Sequence, residues 1–284
     1  MTGNFGSPNP MQSLSVGNVV SAGIRLYRSH LKDYFLLALK AYLWVLVPVY
    51  GWAKFYALTA LISRLAFGDL VDQPESVPSG ERFVNSRLWQ FLLTILLLFL
   101  VSIGIGLGVV ILSVLLGVLS AAFVGGVGQQ ANPATYLLFI LIAFALGIVA
   151  LLAILWLVTR FYLVDLPLAV EENIDASSAI SRSWELTQGY VWRILLISFV
   201  AFLITIPIQI VVQILATVLR LAFLPLIQEG NAVFSLLYFV LILAISFSSG
   251  ALLIPFWQSI KAVIYYDLRS RREGLGLKLR DREI

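Results

Sequence analysis

The sequence predicts an all-α fold: a polytopic transmembrane helical bundle of about six membrane helices in three hairpins, with amphipathic helices on the cytoplasmic interface. Three observations carry this expectation. The 284 residues are 60% hydrophobic and 12% charged, with a mean hydropathy of +0.96, against roughly 45–50% apolar and about 25% charged residues in soluble domains. Residues 88–159, 72 in all, contain no Asp, Glu, Lys, Arg or His. Lys and Arg crowd toward both ends of the chain and are missing from the turns that separate its apolar blocks. Polar residues this scarce cannot cover so apolar a body, so lipid must do the covering.

Residues 1–14, rich in Gly, Pro, Asn and Ser, read as a disordered tail. Residues 1–33 show no apolar run followed by a small-residue cleavage site, so no removable signal peptide is expected. Residues 15–33 read as an amphipathic interfacial helix with Ser15 as its N-cap. On a 3.6-residue wheel Val16, Val19, Val20, Gly23, Ile24, Tyr27 and Leu31 share one face, while Asn18, Ser21, Arg25, Ser29 and Lys32 lie opposite.

Residues 34–264 are expected to form a single transmembrane domain. Its first block, 34–67, is interrupted by Pro48 and Gly51 and contains Lys40 and Lys54. Each half is about 16 residues, short for a hydrocarbon core of roughly 30 Å, so the block reads as two short helices or a re-entrant hairpin. The uncharged run 88–159 gives two spans around a turn at 125–133, and 194–219 and 230–260 give two more around 225–231. A polar amphipathic stretch precedes each hairpin. The second, 79–89, is the weakest; the third starts at Asp175, carries Ala179, Ile180, Ser183, Leu186 and Tyr190 on one face, and stops at Gly189. This threefold recurrence is the pattern of an internal repeat.

Residues 265–284 read as a basic cytoplasmic segment in which Asp267 with Arg271, and Arg269 with Glu273, form i,i+4 pairs that continue the last helix. Arg25, Arg28 and Lys32 at one end of the chain, and Lys261, Arg269, Arg271, Arg272, Lys278, Arg280 and Arg282 at the other, place both termini in the cytoplasm. The number of crossings is then even, and segments 68–87 and 165–189 lie on the same side.

Composition excludes several chemistries. With no cysteine and His30 as the one histidine, neither thiolate catalysis nor a Cys- or His-rich metal centre is expected, and no cofactor is called for. Gly104 and Gly108, within a GxGxG string, read as a small-residue packing face because no strand precedes them. Gln209 and Gln213 either line a polar path or bond to a neighbouring helix. Glu171, Glu172, Asp175 and Glu185, near Arg160, Arg182 and Arg193, read as a solvated or ion-paired group rather than a metal site. Lys54 is expected to reach one membrane interface and Lys40 the other. Candidate contacts for anionic lipid headgroups are Arg25, Arg28, Lys32, Lys40, Trp192, Arg193, Arg269, Arg271 and Arg272. The basic run follows a span directly, which favours lipid over nucleic acid, each Lys or Arg contributing about 1 kcal/mol at a charged leaflet.

Two stretches carry a family resemblance. The first comprises Arg160-Phe161-Tyr162, residues 166–173 (LPLAVEEN), residues 179–189 (AISRSWELTQG) and Trp192-Arg193; the second is residues 265–274 (YYDLRSRREG). Together they resemble a bacterial family named after the membrane domain of glycerophosphodiester phosphodiesterases, and the chain looks most similar to its cyanobacterial members. The resemblance implies a helical membrane protein of a plasma or thylakoid membrane. It does not imply hydrolysis, because the phosphodiesterase chemistry belongs to a separate soluble barrel with paired histidines and a carboxylate-held metal, which these residues are not expected to include.

The reading is therefore a non-enzymatic integral membrane protein, lipid-associated or scaffolding, with membrane lipids as partners and another membrane protein or a second copy as a further one. A transporter or channel for a small solute is the alternative, favoured by Pro48, Pro207 and Pro255, which can break helices around a central site.

Overall fold

The structure, a computed structural model, describes residues 14–125, 133–228 and 230–274. Most of the expected tail, the centre of the 125–133 turn and the basic residues beyond Gly274 lie outside the described residues. Among the described residues every regular element is a helix.

Ser15 caps α1 (Val16–Ser29) by accepting a hydrogen bond from the Asn18 amide at 3.2 Å. The helix breaks at His30, and α2 (Leu31–Val45) follows. Pro48 and Val49, the latter at φ 60°, turn the chain into α3 (Tyr50–Leu70). Gly51 is required there by close approach: a Cβ would sit 1.9 Å from the Trp44 carbonyl oxygen. Ser76 caps α4 (Val77–Ser86), which leads into α5 (Leu88–Gly125). Then come α6 (Pro133–Arg160), the short α7 (Asp165–Val170), and α8 (Ala176–Thr187), capped by Asp175 as the sequence predicts. The chain turns at Gly189 into α9 (Val191–Gln228) and ends in α10 (Ala232–Glu273), closed by Gly274 in the left-handed conformation.

These elements divide into a packed hub and four apolar arms. The hub combines α1 to α4, α7 and α8 with the near ends of α5, α6 and α9 and the second half of α10. Its largest fully buried side chains include Tyr34, Leu58, Leu61, Phe91, Leu166, Ile194 and Tyr265. Beyond it, α5, α6, α9 and α10 present bare apolar surface, with Phe99, Val110, Phe144, Val149, Val211, Leu221, Val233 and Phe239 all exposed. The arms form two antiparallel pairs. Phe123 stacks on Phe139 at 4.7 Å near the ends of α5 and α6, and Phe223 meets Tyr238 at 5.9 Å between α9 and α10.

Those four helices are long and apolar enough to cross a membrane. At 1.5 Å per residue the 38 residues of α5 and of α9 reach about 57 Å, nearly twice a hydrocarbon core, because one end of each is built into the hub. The hairpin of α2 and α3 differs. The 15 residues of α2 reach only about 22 Å, and α3 is buried along most of its length against α10, α2 and α5.

Helix α1 also departs from the simple interfacial picture. Val19, Val20 and Gly23, part of its expected apolar face, are covered by protein: α1 lies along α10 and α9, with Gly23 against Ile260. Leu31, assigned to the same face, belongs to α2 and is exposed. The break at His30 takes it off the α1 wheel.

Candidate functional site

The hub gathers the start of α1, the α3–α4–α5 connection, the α6–α9 connection and the end of α10. Arg193 on α9 donates to Asp267 of α10 at 2.6 Å and to the Leu14 carbonyl ahead of α1. Arg64 of α3 donates to Glu75 at 2.6 Å and to the Ala169 carbonyl of α7 at 2.7 Å. Arg87, between α4 and α5, donates to the Glu171 carbonyl at 2.7 Å. Burial alone would raise the Glu75 carboxyl, but hydrogen bonds from Arg64 and Ser79 outweigh it and hold Glu75 below its ordinary value.

Glu171 is the centre of the largest polar network. Its carboxylate accepts from Arg182 at 3.1 Å and from the Tyr265 hydroxyl, while Arg182 reaches on to Glu273, which also accepts from Arg269 at 2.9 Å. Asp267 takes Arg271 at 3.0 Å beside Arg193. Both i,i+4 pairs expected from the sequence are thus formed. Of this acidic group Glu171 is ion-paired and Asp175 caps a helix, and no cluster suited to a metal occurs among the described residues.

The candidate headgroup residues separate into two sets. Arg193, Arg269 and Arg271 are ion-paired, and Arg272 donates to the Gln188 carbonyl above the Tyr190 ring. Trp192 beside them stays 61% exposed. Arg25, Arg28 and Lys32 are exposed and have no ion pair among the described residues. Lys40 is held by both carboxylate oxygens of Glu81 at 2.8 Å, and this hydrogen bond keeps Glu81 below its ordinary value.

The expectation that Lys40 and Lys54 reach opposite interfaces is corrected. Lys54 is 7% exposed, donates to Asn85 at 2.6 Å and lies 5.7 Å from the Trp44 ring. Glu81 and Asn85 are one turn apart on α4, so one amphipathic helix receives both lysines. Two further readings change. Gln209 donates to Thr205 at 2.8 Å within its own helix rather than across to another. No atom lies within 4 Å of a Cβ built at Gly104 or Gly108, so that face packs on nothing among the described residues.

One buried group escaped sequence reading. Asp165, 1% exposed at the start of α7, pairs with Lys261 of α10 at 3.0 Å, beneath the Tyr162 ring at 5.0 Å from the ammonium. One Asp165 carboxylate oxygen has no hydrogen-bond partner. The only signal was Lys261 itself, a charge at the end of a long uncharged run; its partner is 96 residues away.

Comparison with family models, with curated proteins and with solved structures finds no match to the chain. The fold itself, four long apolar helices rising from a polar-linked hub, defines an α-helical membrane protein.

Proposed function

We propose that the chain is a non-enzymatic membrane protein whose hub engages anionic lipid headgroups and scaffolds the surface of a bacterial plasma or thylakoid membrane. The observation that carries this reading is the polarity of the molecule. The polar contacts that join different helices, and nearly every Lys and Arg among the described residues, sit at the hub, while bare apolar arms leave from it. Such a body is oriented by its own charge, with hub and both termini cytoplasmic. The arms cross, and the α2–α3 hairpin completes three hairpins by entering the near leaflet. The resemblance to the family named after the membrane domain of glycerophosphodiester phosphodiesterases supports a lipid-related role.

Because the chain contains no cysteine, single cysteines report sidedness directly. In intact cells Ala232→Cys, at the far end of α10, is expected to react with a membrane-impermeant maleimide. Glu172→Cys, at the hub, is expected to react only after lysis. Labelling of Glu172→Cys from outside would overturn the orientation.

A carrier or channel is the second reading. The buried Asp165–Lys261 pair, where the α10 arm enters the hub, favours it, together with Pro207 and Pro255 inside α9 and α10, which can break helices around a central site. Solute or ion flux in proteoliposomes that is lost on Lys261→Met would select this reading over the first.

A further inference from the structure

A groove of about 160 Å³ opens where α1, α9 and α10 meet. Ile24 and Tyr27 of α1, Ile204 and Ile208 of α9, and Leu252 and Phe256 of α10 form its walls, and Arg28 stands among them. Thr205 also faces it, but its hydroxyl donates to the Phe202 carbonyl at 2.8 Å and accepts from Gln209 at 2.8 Å, so it has no proton left to donate to a ligand. The volume is below the roughly 300 Å³ at which pockets begin to enclose a whole small molecule. An apolar trough of this size suits part of an extended chain.

Charge marks the groove. Lys40, Arg64, Arg182, Arg193, Lys261, Arg269 and Arg271 are all neutralised by carboxylates of the chain. Arg25, Arg28 and Lys32 are not: three cations fall within eight residues around the end of α1, all exposed, with Asp33 the one acidic residue between 15 and 33. Arg82 and Arg272 are also exposed without a carboxylate partner among the described residues, but neither stands beside the apolar trough. A guanidinium can bind a phosphate through two parallel hydrogen bonds. Here it stands beside an apolar trough on a helix pair that continues into bare, lipid-facing arms.

We infer that this groove holds one acyl chain of an anionic phospholipid whose phosphate is bound by Arg28, the one cation that lines it. This rests on the lipid-engaging reading above and gives it a specific seat. It also explains why α1 is not simply laid on the membrane. Its Val19, Val20 and Gly23 side is sealed against protein, while its Ile24, Tyr27 and Arg28 side completes the cleft.

The test is native mass spectrometry of the purified full chain released from nanodiscs of equimolar phosphatidylglycerol and phosphatidylcholine, with detergent melting as a control for folding. Wild type is expected to retain phosphatidylglycerol preferentially. Arg28→Gln should lower that preference about five-fold, the effect of one cation at an anionic surface, at unchanged melting temperature, and Arg28→Lys should recover part of it. Ile208→Trp, which fills the trough and leaves every charge in place, should reduce retention of both lipids. A phosphatidylglycerol preference that survives both Arg28→Gln and Ile208→Trp overturns the groove and leaves the broader lipid reading standing. No preference in wild type overturns both.

Discussion

Gly189 sits at φ 80°, directly after the α8 cap, and a Cβ built on it would meet no atom within 4 Å. Substitution there is opposed by the backbone alone. Gly189→Ala is expected to cost about 1 kcal/mol and Gly189→Val more, because β-branching disfavours the left-handed region further. Detergent melting temperatures should fall in that order, and equal melting of all three proteins would remove the turn from the account. The Lys40–Glu81 pair gives a pH dependence. Glu81 titrates below its ordinary value when folded, so its contribution is complete above the unfolded carboxyl value and disappears as pH falls through the folded one. With Lys40 48% exposed, the pair contributes no more than about 1 kcal/mol. Wild type should therefore melt slightly above Glu81→Gln at neutral pH, and the two melting curves should converge in acid. A gap that widens in acid would contradict the assignment.

Among the helices, α1 makes the clearest prediction. Spin labels at Val19, Val20 and Gly23 should be shielded from both oxygen and a nickel chelate, because α9 and α10 cover them. Labels at Ser21 and Arg25, which are exposed, should be accessible to one or the other. Uniform water exposure along α1 would mean that it does not pack as described. Much at this scale was legible in the sequence, and the legible part was local. Ser15 and Asp175 cap the helices they were expected to cap, Gly189 ends α8, and both i,i+4 pairs of α10 are formed, because each depends on residues a turn apart. What pattern reading missed were partnerships over long separations. Lys40 finds Glu81 across 41 residues, Arg182 finds Glu273 across 91, and Lys261 finds Asp165 across 96. Hydropathy likewise marked 34–67 as membrane-seeking without showing that much of its apolar surface is covered by other helices of the chain.

For the molecule as a whole, the purified chain is expected to hydrolyse no glycerophosphodiester. That expectation follows from the proposed non-enzymatic reading, and metal-dependent turnover that persists through rigorous purification would refute it. The depth of the α2–α3 hairpin can be measured too. Val47→Cys at its tip should resist a water-soluble maleimide from both sides of the membrane if the hairpin stays within the near leaflet, and react from outside if it crosses. The division into hub and arms reaches beyond topology, because the two parts answer to different solvents. The hub owes its order to side-chain burial and ion pairs, which urea and heat weaken. The arms have few neighbours and keep their helices because unpaired peptide groups are intolerable in hydrocarbon. Denaturation should therefore proceed in two stages with no shared midpoint: the hub loses its aromatic near-ultraviolet signal first, and most of the helical far-ultraviolet signal persists while the arms remain inserted.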